Sequence, residues 1–339
     1  VGVAINIVSQ TDLPPHRLRT IQRLLDESPL LTEEVLDLLG WAAQYYHHSI
    51  GEVINAALPV RLRQGGPAEL PASTVWRLTD VGTAMSPAAL RAPLQRRLLA
   101  ALQAAPAHEL DRPCVLGFGA RGMVAMRALV EKGLVNAHMQ ELTERSPGRT
   151  AEPHALNADQ ASAVGALQAA RGFQPFLLRG VTGSGKTEVY LQTIERVLAK
   201  GDNALVLVPE IGLTPQLVER FQRRLGVPLA VLHSGLGEGE RATAWLKARA
   251  GKAPIVLGTR SAVFTPIPRL GLIVVDEEHD ASYKQQDGFR YSARDIAVMR
   301  ASRAGVPIVL GSATPSLESL NQARLGNYRI LELRERAAA

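Results

Sequence analysis

Residues 180–187 read GVTGSGKT, and the fold follows from how that octapeptide is read. It fits the pattern of a glycine, four free residues and then Gly-Lys-Thr. An apolar run, Phe176 to Leu178, precedes it, and a helical pattern, EVYLQTIERVLAK from Glu188 to Lys200, follows it. A strand, a glycine-rich turn and a helix in that order make a cradle for phosphate. Gly180, Gly183 and Gly185 lack a Cβ, so their backbone can take dihedrals closed to other residues and bring N–H groups up to phosphate oxygens. The helix that starts here adds its positive end. Lys186 supplies a compact mobile cation for the β- and γ-phosphates, Thr187 a hydroxyl suited to Mg²⁺, and Ser184 lies within the same turn. A plain glycine turn with a surface lysine needs neither the strand nor the helix.

From Leu156 to the end of the chain, helical patterns alternate with short apolar runs: FLL, NALVLVP, PLAVLH, PIVLGT, LGLIVVDEEH and VPIVLGSAT. Apolar strands separated by helices predict an α/β fold with a parallel sheet covered by helices on both faces. Ligands of such sheets bind at the carboxyl ends of the strands, and the chemistry-bearing residues collect there. Asp276 and Glu277 follow the run LIVV, 89 residues after Thr187. The first acid is placed to share Mg²⁺ with the Thr187 hydroxyl, and the second to orient or deprotonate an attacking water. An acidic pair at a strand end can also be a simple helix cap; membership of the same sheet as Lys186 favours nucleoside-triphosphate chemistry. Ser312 and Thr314, in GSATPS, end the next strand, where hydroxyls can tie a nucleotide to other parts of the protein; Pro315 also allows an ordinary turn. Gln160, twenty residues before Gly180, can read an adenine edge or simply be solvated.

The chain has 339 residues, enough for about two or three domains. It is 46% apolar and 21% charged, as a globular protein should be. No apolar run reaches the length of a membrane span and no signal segment opens the sequence, so a cytoplasmic location is expected. Cys114 is the single cysteine, which excludes an internal disulfide and a cysteine-rich zinc site within these residues. The net charge of +6 suggests an acidic partner such as nucleic acid. The excess is uneven: residues 1–90 carry −3, residues 91–150 carry +4 and residues 151–339 carry +5.

Residues 1–63 open with an alternating run, VGVAINIV, that reads as a strand, and continue into EEVLDLLGWAAQYYHH, a helical pattern capped by Thr32. Adjacent His47 and His48 point different ways on a helix and have no third ligand, which favours a capping or surface role over a metal site. Gln64 to Ala72, QGGPAELPA, reads as a linker. Residues 73–150 predict a strand at VWRLT, a basic helix over Leu90–Ala105, a second helix near Pro106–Leu116, a third in ARGMVAMRALVEKG closed by Gly133, and a small hairpin opened by the following Leu-Val. That order fits a winged-helix domain with Arg121, Arg127 and Lys132 on phosphates, and equally a surface-charged three-helix bundle. Glu141 to Pro153 reads as a second linker, and the sheet-forming lobe occupies residues 151–335.

GVTGSGKT, DEEH and SAT in that order, with Thr259-Arg260 between them, resemble superfamily 2 helicases. LVPEIGLTPQ, VLHSGL, GTRSAVF, DEEHDASYKQQDGFRYSARD and WAAQYYHHSIGEV are similar, more closely, to the primosomal replication-restart helicases of the PriA family. The resemblance implies a partial 3'-DNA-end-binding domain, a winged helix and the first RecA-like lobe. It implies ATP and Mg²⁺ as ligands, 3'-to-5' unwinding at abandoned forks, and forked and single-stranded DNA, primosome proteins and single-stranded DNA-binding protein as partners. By matching motif it assigns Gln160, Gly180, Gly183, Ser184, Gly185, Lys186 and Thr187 to the nucleotide, and Thr187 and Asp276 to Mg²⁺. Lys186, Asp276 and Glu277 fall to hydrolysis, and His279, Ser312 and Thr314 to coupling with DNA. Arg260 falls to DNA, as does an aromatic-rich loop, KQQDGFRY, in which Phe289 and Tyr291 are expected to stack on bases and Lys284 and Arg290 to meet phosphates. The family also has a second RecA-like lobe with an arginine finger, and a zinc module, whose motifs are not in these residues; the 339 residues alone are therefore expected to bind ATP and DNA but hydrolyse slowly. A fork-binding assembly platform with a non-essential nucleotide site is the alternative.

Overall fold

A computed structural model describes residues 2–141 and 148–336. The chain forms two compact units, one from the described residues of 1–69 and 145–339, the other from those of 70–144.

The larger unit begins with a long stretch that has no strand. Residues 2–8 of the expected VGVAINIV strand are irregular and exposed, Ile7 by 94%, and Val1 lies outside the described residues. An isolated extended run has no ladder partner for its N–H and C=O groups, so alternation alone does not make a strand. Helices α1 (Glu33–Tyr45), α2 (Ile50–Ala57) and α3 (Val60–Arg63) follow, and Thr32 caps α1 by accepting the Val35 N–H. They belong to the same compact unit as the lobe. Val35, Leu38, Leu39 and Ala42 of α1 are fully buried, and Glu34 pairs at 3.2 Å with Arg300, a fully buried arginine of the lobe. Three short helices bury too little to close a core by themselves, so their apolar faces are completed by the lobe.

The smaller unit contains β1 (Ala72–Leu78), α4 (Asp80–Ala84), α5 (Pro93–Ala104), β2 (Glu109–Asp111), α6 (Arg112–Leu116), α7 (Gly122–Glu131) and β3 (Val135–Glu141). The sheet order is β2-β1-β3, all antiparallel, so the first strand of the unit is the middle one. Four helices accompany this small antiparallel sheet, so the unit is not a bare three-helix bundle. One expectation is corrected: the helix expected over 106–116 is split, because residues 109–111 pair with β1 and Asp111 then caps α6 through the Cys114 N–H. The strand opened by Leu134 and Val135 pairs with β1, and the return of the expected hairpin falls on residues 142–147, outside the described residues. Gly133 closes the α7 end with φ 68°. Trp76, Leu98, Leu99, Leu102, Met126 and Leu129 fill the core.

The lobe runs α8 (Ala158–Ala169), β4 (Pro175–Gly180), α9 (Lys186–Ala199), β5 (Asn203–Leu207), α10 (Pro215–Leu225), β6 (Leu229–Leu232), α11 (Glu238–Arg249), β7 (Ile255–Gly258), β8 (Leu270–Val275), α12 (Ala293–Ala304), β9 (Ile308–Ser312), α13 (Leu317–Arg324) and β10 (Arg329–Leu333). All seven strands are parallel, ordered β10-β4-β9-β8-β5-β7-β6. Every residue of β5, β7 and β9 is buried, as a sheet covered on both faces requires. Burying each Val, Leu or Ile side chain contributes about 1.5–3 kcal/mol, so these strands hold the lobe together. The strand β10 is not among the apolar runs of the sequence. It is an edge strand, RILEL, half exposed, and it seats Leu333 against Gly180. Of the second expected linker, residues 142–147 lie outside the described residues; Thr150 and Ala151 are held on α10 by N–H bonds to the Arg223 carbonyl at 2.9 and 3.1 Å.

Candidate active site

The phosphate loop closes as its glycines require. Gly183 and Gly185 both have φ 82°, the left-handed region, and Gly185 starts α9. A Cβ on Gly180 would overlap the Ser184 hydroxyl. That Ser184 hydroxyl is buried and has no hydrogen-bond partner among the described residues, a costly arrangement that fits a cradle built for an oxygen-rich ligand. Lys186 is 7% exposed; it donates to the Gly180 carbonyl at 3.0 Å, and its Nζ stands 3.3 Å from Glu277 Oε1. The ends of β4 and β8, separated in the sheet by β9, are thereby joined across a cation and a carboxylate. Thr187 follows at the first turn of α9.

Asp276 is fixed on three sides. Its N–H donates to the Leu207 carbonyl at 2.9 Å, its Oδ1 accepts from the Tyr190 hydroxyl at 2.9 Å, and its carbonyl accepts from the Tyr283 hydroxyl at 2.6 Å. Any side chain at position 311 would overlap the Tyr190 hydroxyl, so Gly311 is the condition for that bond. Burial lifts the Asp276 carboxyl above the ordinary carboxylate range; the charge of Glu277 adds to this, while Tyr190 and Lys186 oppose it. Glu277 has φ 44°, a left-handed backbone costing about 1–3 kcal/mol for a non-glycine residue, which its surroundings must enforce. His279 turns back over the pair. Its Nδ1 is 2.8 Å from Ser312 Oγ and 3.7 Å from Glu277 Oε2, and its Nε2 is 3.3 Å from Thr314 Oγ1. His279, Ser312 and Thr314 thus meet at one point beside the acids.

Gln160 is buried, 3% exposed, and its amide is engaged: Oε1 accepts the Asn157 N–H at 3.0 Å and Nε2 donates to the Ser184 carbonyl at 2.9 Å. It therefore braces the phosphate loop from α8, neither solvated nor held out as a free amide. Tyr190, Gly311 and Tyr283 escaped sequence reasoning. Tyr190 did carry a signal, lying four residues after Lys186 and so on the same face of α9.

The aromatic loop is the main correction. Phe289 and Tyr291 are each 5% exposed, stacked on one another at 4.8 Å. Phe264 lies 5.1 Å from Tyr291, while Tyr46 and His48 lie 5.8 and 5.3 Å from Phe289. The Ser292 N–H donates to the Tyr46 hydroxyl at 3.3 Å and the Arg290 N–H to His48 Nε2 at 3.4 Å. Burial pushes the Tyr46 hydroxyl up to about 12. The rings are not presented for base stacking, because apolar surface that has a complementary aromatic neighbour packs against it. Lys284 and Arg290 remain exposed. Arg260 is turned inward, donating to the carbonyls of Ser282 and Lys284 at 3.0 and 3.1 Å, and so it shapes the loop. Arg121, Arg127 and Lys132 are exposed on the other unit, with Lys132 bonded to Gln95 at 2.7 Å.

Comparison with known proteins places this geometry in context. Residues 157–323 match the DEAD/DEAH box helicase family, and residues 1–59 match the 3'DNA-binding domain (3'BD) family. The chain is 42% identical over 347 residues to the replication restart protein PriA of Haemophilus influenzae, covering 99% of this chain and 47% of that protein. It is 36% identical over 354 residues to the PriA of Chlamydia trachomatis, covering 100% of this chain and 46% of that one, and 46% identical over 219 residues to the PriA of Bacillus subtilis, covering 62% and 27%. The chain spans about half the length of the curated relatives that it matches end to end. With the helicase motifs converging on one corner of the sheet and relatives of a single name matching along the whole chain, the chain belongs to the PriA family.

Proposed function

We propose that the chain binds ATP with Mg²⁺ between the phosphate loop and the acidic pair, and that it is the ATP-binding portion of a replication-restart helicase. In this reading it unwinds DNA 3'-to-5' at abandoned forks, initiates primosome assembly there, and works in the cytoplasm. The observation that carries the reading is the 3.3 Å approach of Lys186 to Glu277, which brings the two halves of a triphosphatase site together. Thr187 and Asp276 are the residues to hold Mg²⁺, whose part is to neutralise developing charge on the phosphates. Lys186 and the loop N–H groups bind and orient the phosphates. Glu277, strained into position, takes a proton from the attacking water, and the Asp276 carboxylate is kept in place by Tyr190. His279 stands between Glu277 and the hydroxyls of Ser312 and Thr314, a bridge suited to reporting the state of the nucleotide to DNA-facing segments.

Lys186→Ala in the protein at its full natural length tests this. Loss of ATP-driven strand separation on forked DNA, with DNA binding intact, is the expected result; normal restart by that variant would favour an assembly platform. DNA affinity is also expected to fall steeply between low and moderate salt, as counterion release at Lys284, Arg290, Arg121 and Arg127 demands.

A further inference from the structure

DEEH contains a third acid, Glu278, that takes no part in the chemistry above. Its side chain is fully buried, and it accepts hydrogen bonds from three residues among those described. It accepts from the Ser316 N–H at 2.7 Å, the Ser316 hydroxyl at 3.0 Å, the Ser319 hydroxyl at 2.9 Å and Arg294 Nη1 at 3.1 Å, while its own N–H donates to the Gly311 carbonyl at 2.9 Å. Ser316 caps α13 and Ser319 lies in its first turn, directly after the segment carrying Ser312 and Thr314. Arg294 lies in the first turn of α12, three residues after Tyr291, where the loop bearing Lys284 and Arg290 ends; it also pairs with Asp295 at 2.9 Å and donates to the Ser316 hydroxyl at 2.7 Å. A buried carboxylate saturated by charged and neutral donors has one low-energy arrangement, so the pieces bonded to it move together or not at all.

We propose that Glu278 is a positioning residue: through Arg294 and Ser316 it sets where Asp276 and Glu277 stand relative to the exposed loop, so that polynucleotide at Lys284 and Arg290 changes the affinity for nucleotide. The inference rests on the reading that both ligands bind. It differs from an ordinary structural role because the link is between two sites and is therefore a measurable coupling.

The test is titration of the full chain with a fluorescent ATP analogue, with and without saturating single-stranded DNA, alongside thermal melting. Wild type is expected to bind the analogue about tenfold more tightly with DNA. Glu278→Gln, isosteric but uncharged, is expected to keep its DNA-free nucleotide affinity within about twofold and lose most of that tenfold ratio. Ser319→Ala, which removes one donor and strands no charge, should lose part of the ratio without a large change in melting. An unchanged ratio in Glu278→Gln overturns the proposal. So does a DNA-free affinity that collapses in step with melting, and so does a wild type that binds both ligands independently. A wild type that binds no nucleotide sinks the functional reading itself, and Lys186→Ala identifies that case because it should abolish nucleotide binding whatever position 278 does.

Discussion

The phosphate corner and the aromatic loop are neighbours in one unit, yet they are held by opposite means. At the corner, ionisable groups stand close together: Lys186 faces Glu277, burial lifts the Asp276 carboxyl above the ordinary carboxylate range, and Glu277 keeps a left-handed backbone. The loop hides its rings, exposes its charges and satisfies its backbone N–H groups with Tyr46 and His48, residues from the far end of the chain. The difference teaches that the corner carries local strain and desolvation, which the proposed nucleotide would relieve, whereas the loop is stabilised by packing against a segment distant in sequence.

Four substitutions break or sharpen that contrast. The largest effect belongs to Lys186→Ala, which should lower ATP hydrolysis about a hundredfold or more while leaving the melting temperature nearly unchanged, as phosphate release and calorimetry will show. Retained hydrolysis would place the chemistry elsewhere. Next is Phe289→Ala, expected to destabilise the larger unit by about 3 kcal/mol in denaturant titration, since it removes a ring packed on all sides. If stability holds and single-stranded DNA affinity falls instead, the ring meets bases and the packed arrangement is not the binding one.

Asp276→Asn should do the reverse of Phe289→Ala, abolishing hydrolysis while raising the melting temperature at pH 7 by a few degrees. The folded value of this carboxyl is raised, so its contribution to stability is fully present below the unfolded value and is lost as pH rises through the folded one. The advantage of Asn therefore narrows as the pH is lowered; a gap that widens towards acid would show that the Asp276 charge is stabilising. The smallest effect is that of Tyr46→Phe, which keeps the ring but removes the acceptor for Ser292 N–H, expected to be worth about 1 kcal/mol. No change in stability would mean that the ring alone holds the loop.

The parts legible in the sequence share a physical property. GVTGSGKT, DEEH and the buried strands declare themselves because each demand is met within a few residues: a positive φ needs glycine, a strand covered on both faces needs continuous apolar residues, and a helix start needs a cap such as Thr32. Ser312 and Thr314 could be placed beside the acidic pair because strand ends in a parallel sheet come together, while His279 joined them through the family resemblance alone. By contrast, the half-exposed β10, the middle position of β1, and the engagement of Gln160 with Ser184 depend on partners remote in sequence. The charged residues of KQQDGFRY are outside, while its two rings turn inward because the turn after α1 supplies Tyr46 and His48.

By itself the sequence determined which residue types end the strands at the corner and the class of the sheet, since both are written in local residue types and spacings. Only the tertiary structure decided that residues 33–63 complete the core of the lobe, that Phe289 and Tyr291 are enclosed, and that Glu278 ties two helices to the acidic motif. Those outcomes depend on which surfaces find each other, and burial of one segment by another is a property of the pair that neither segment carries alone.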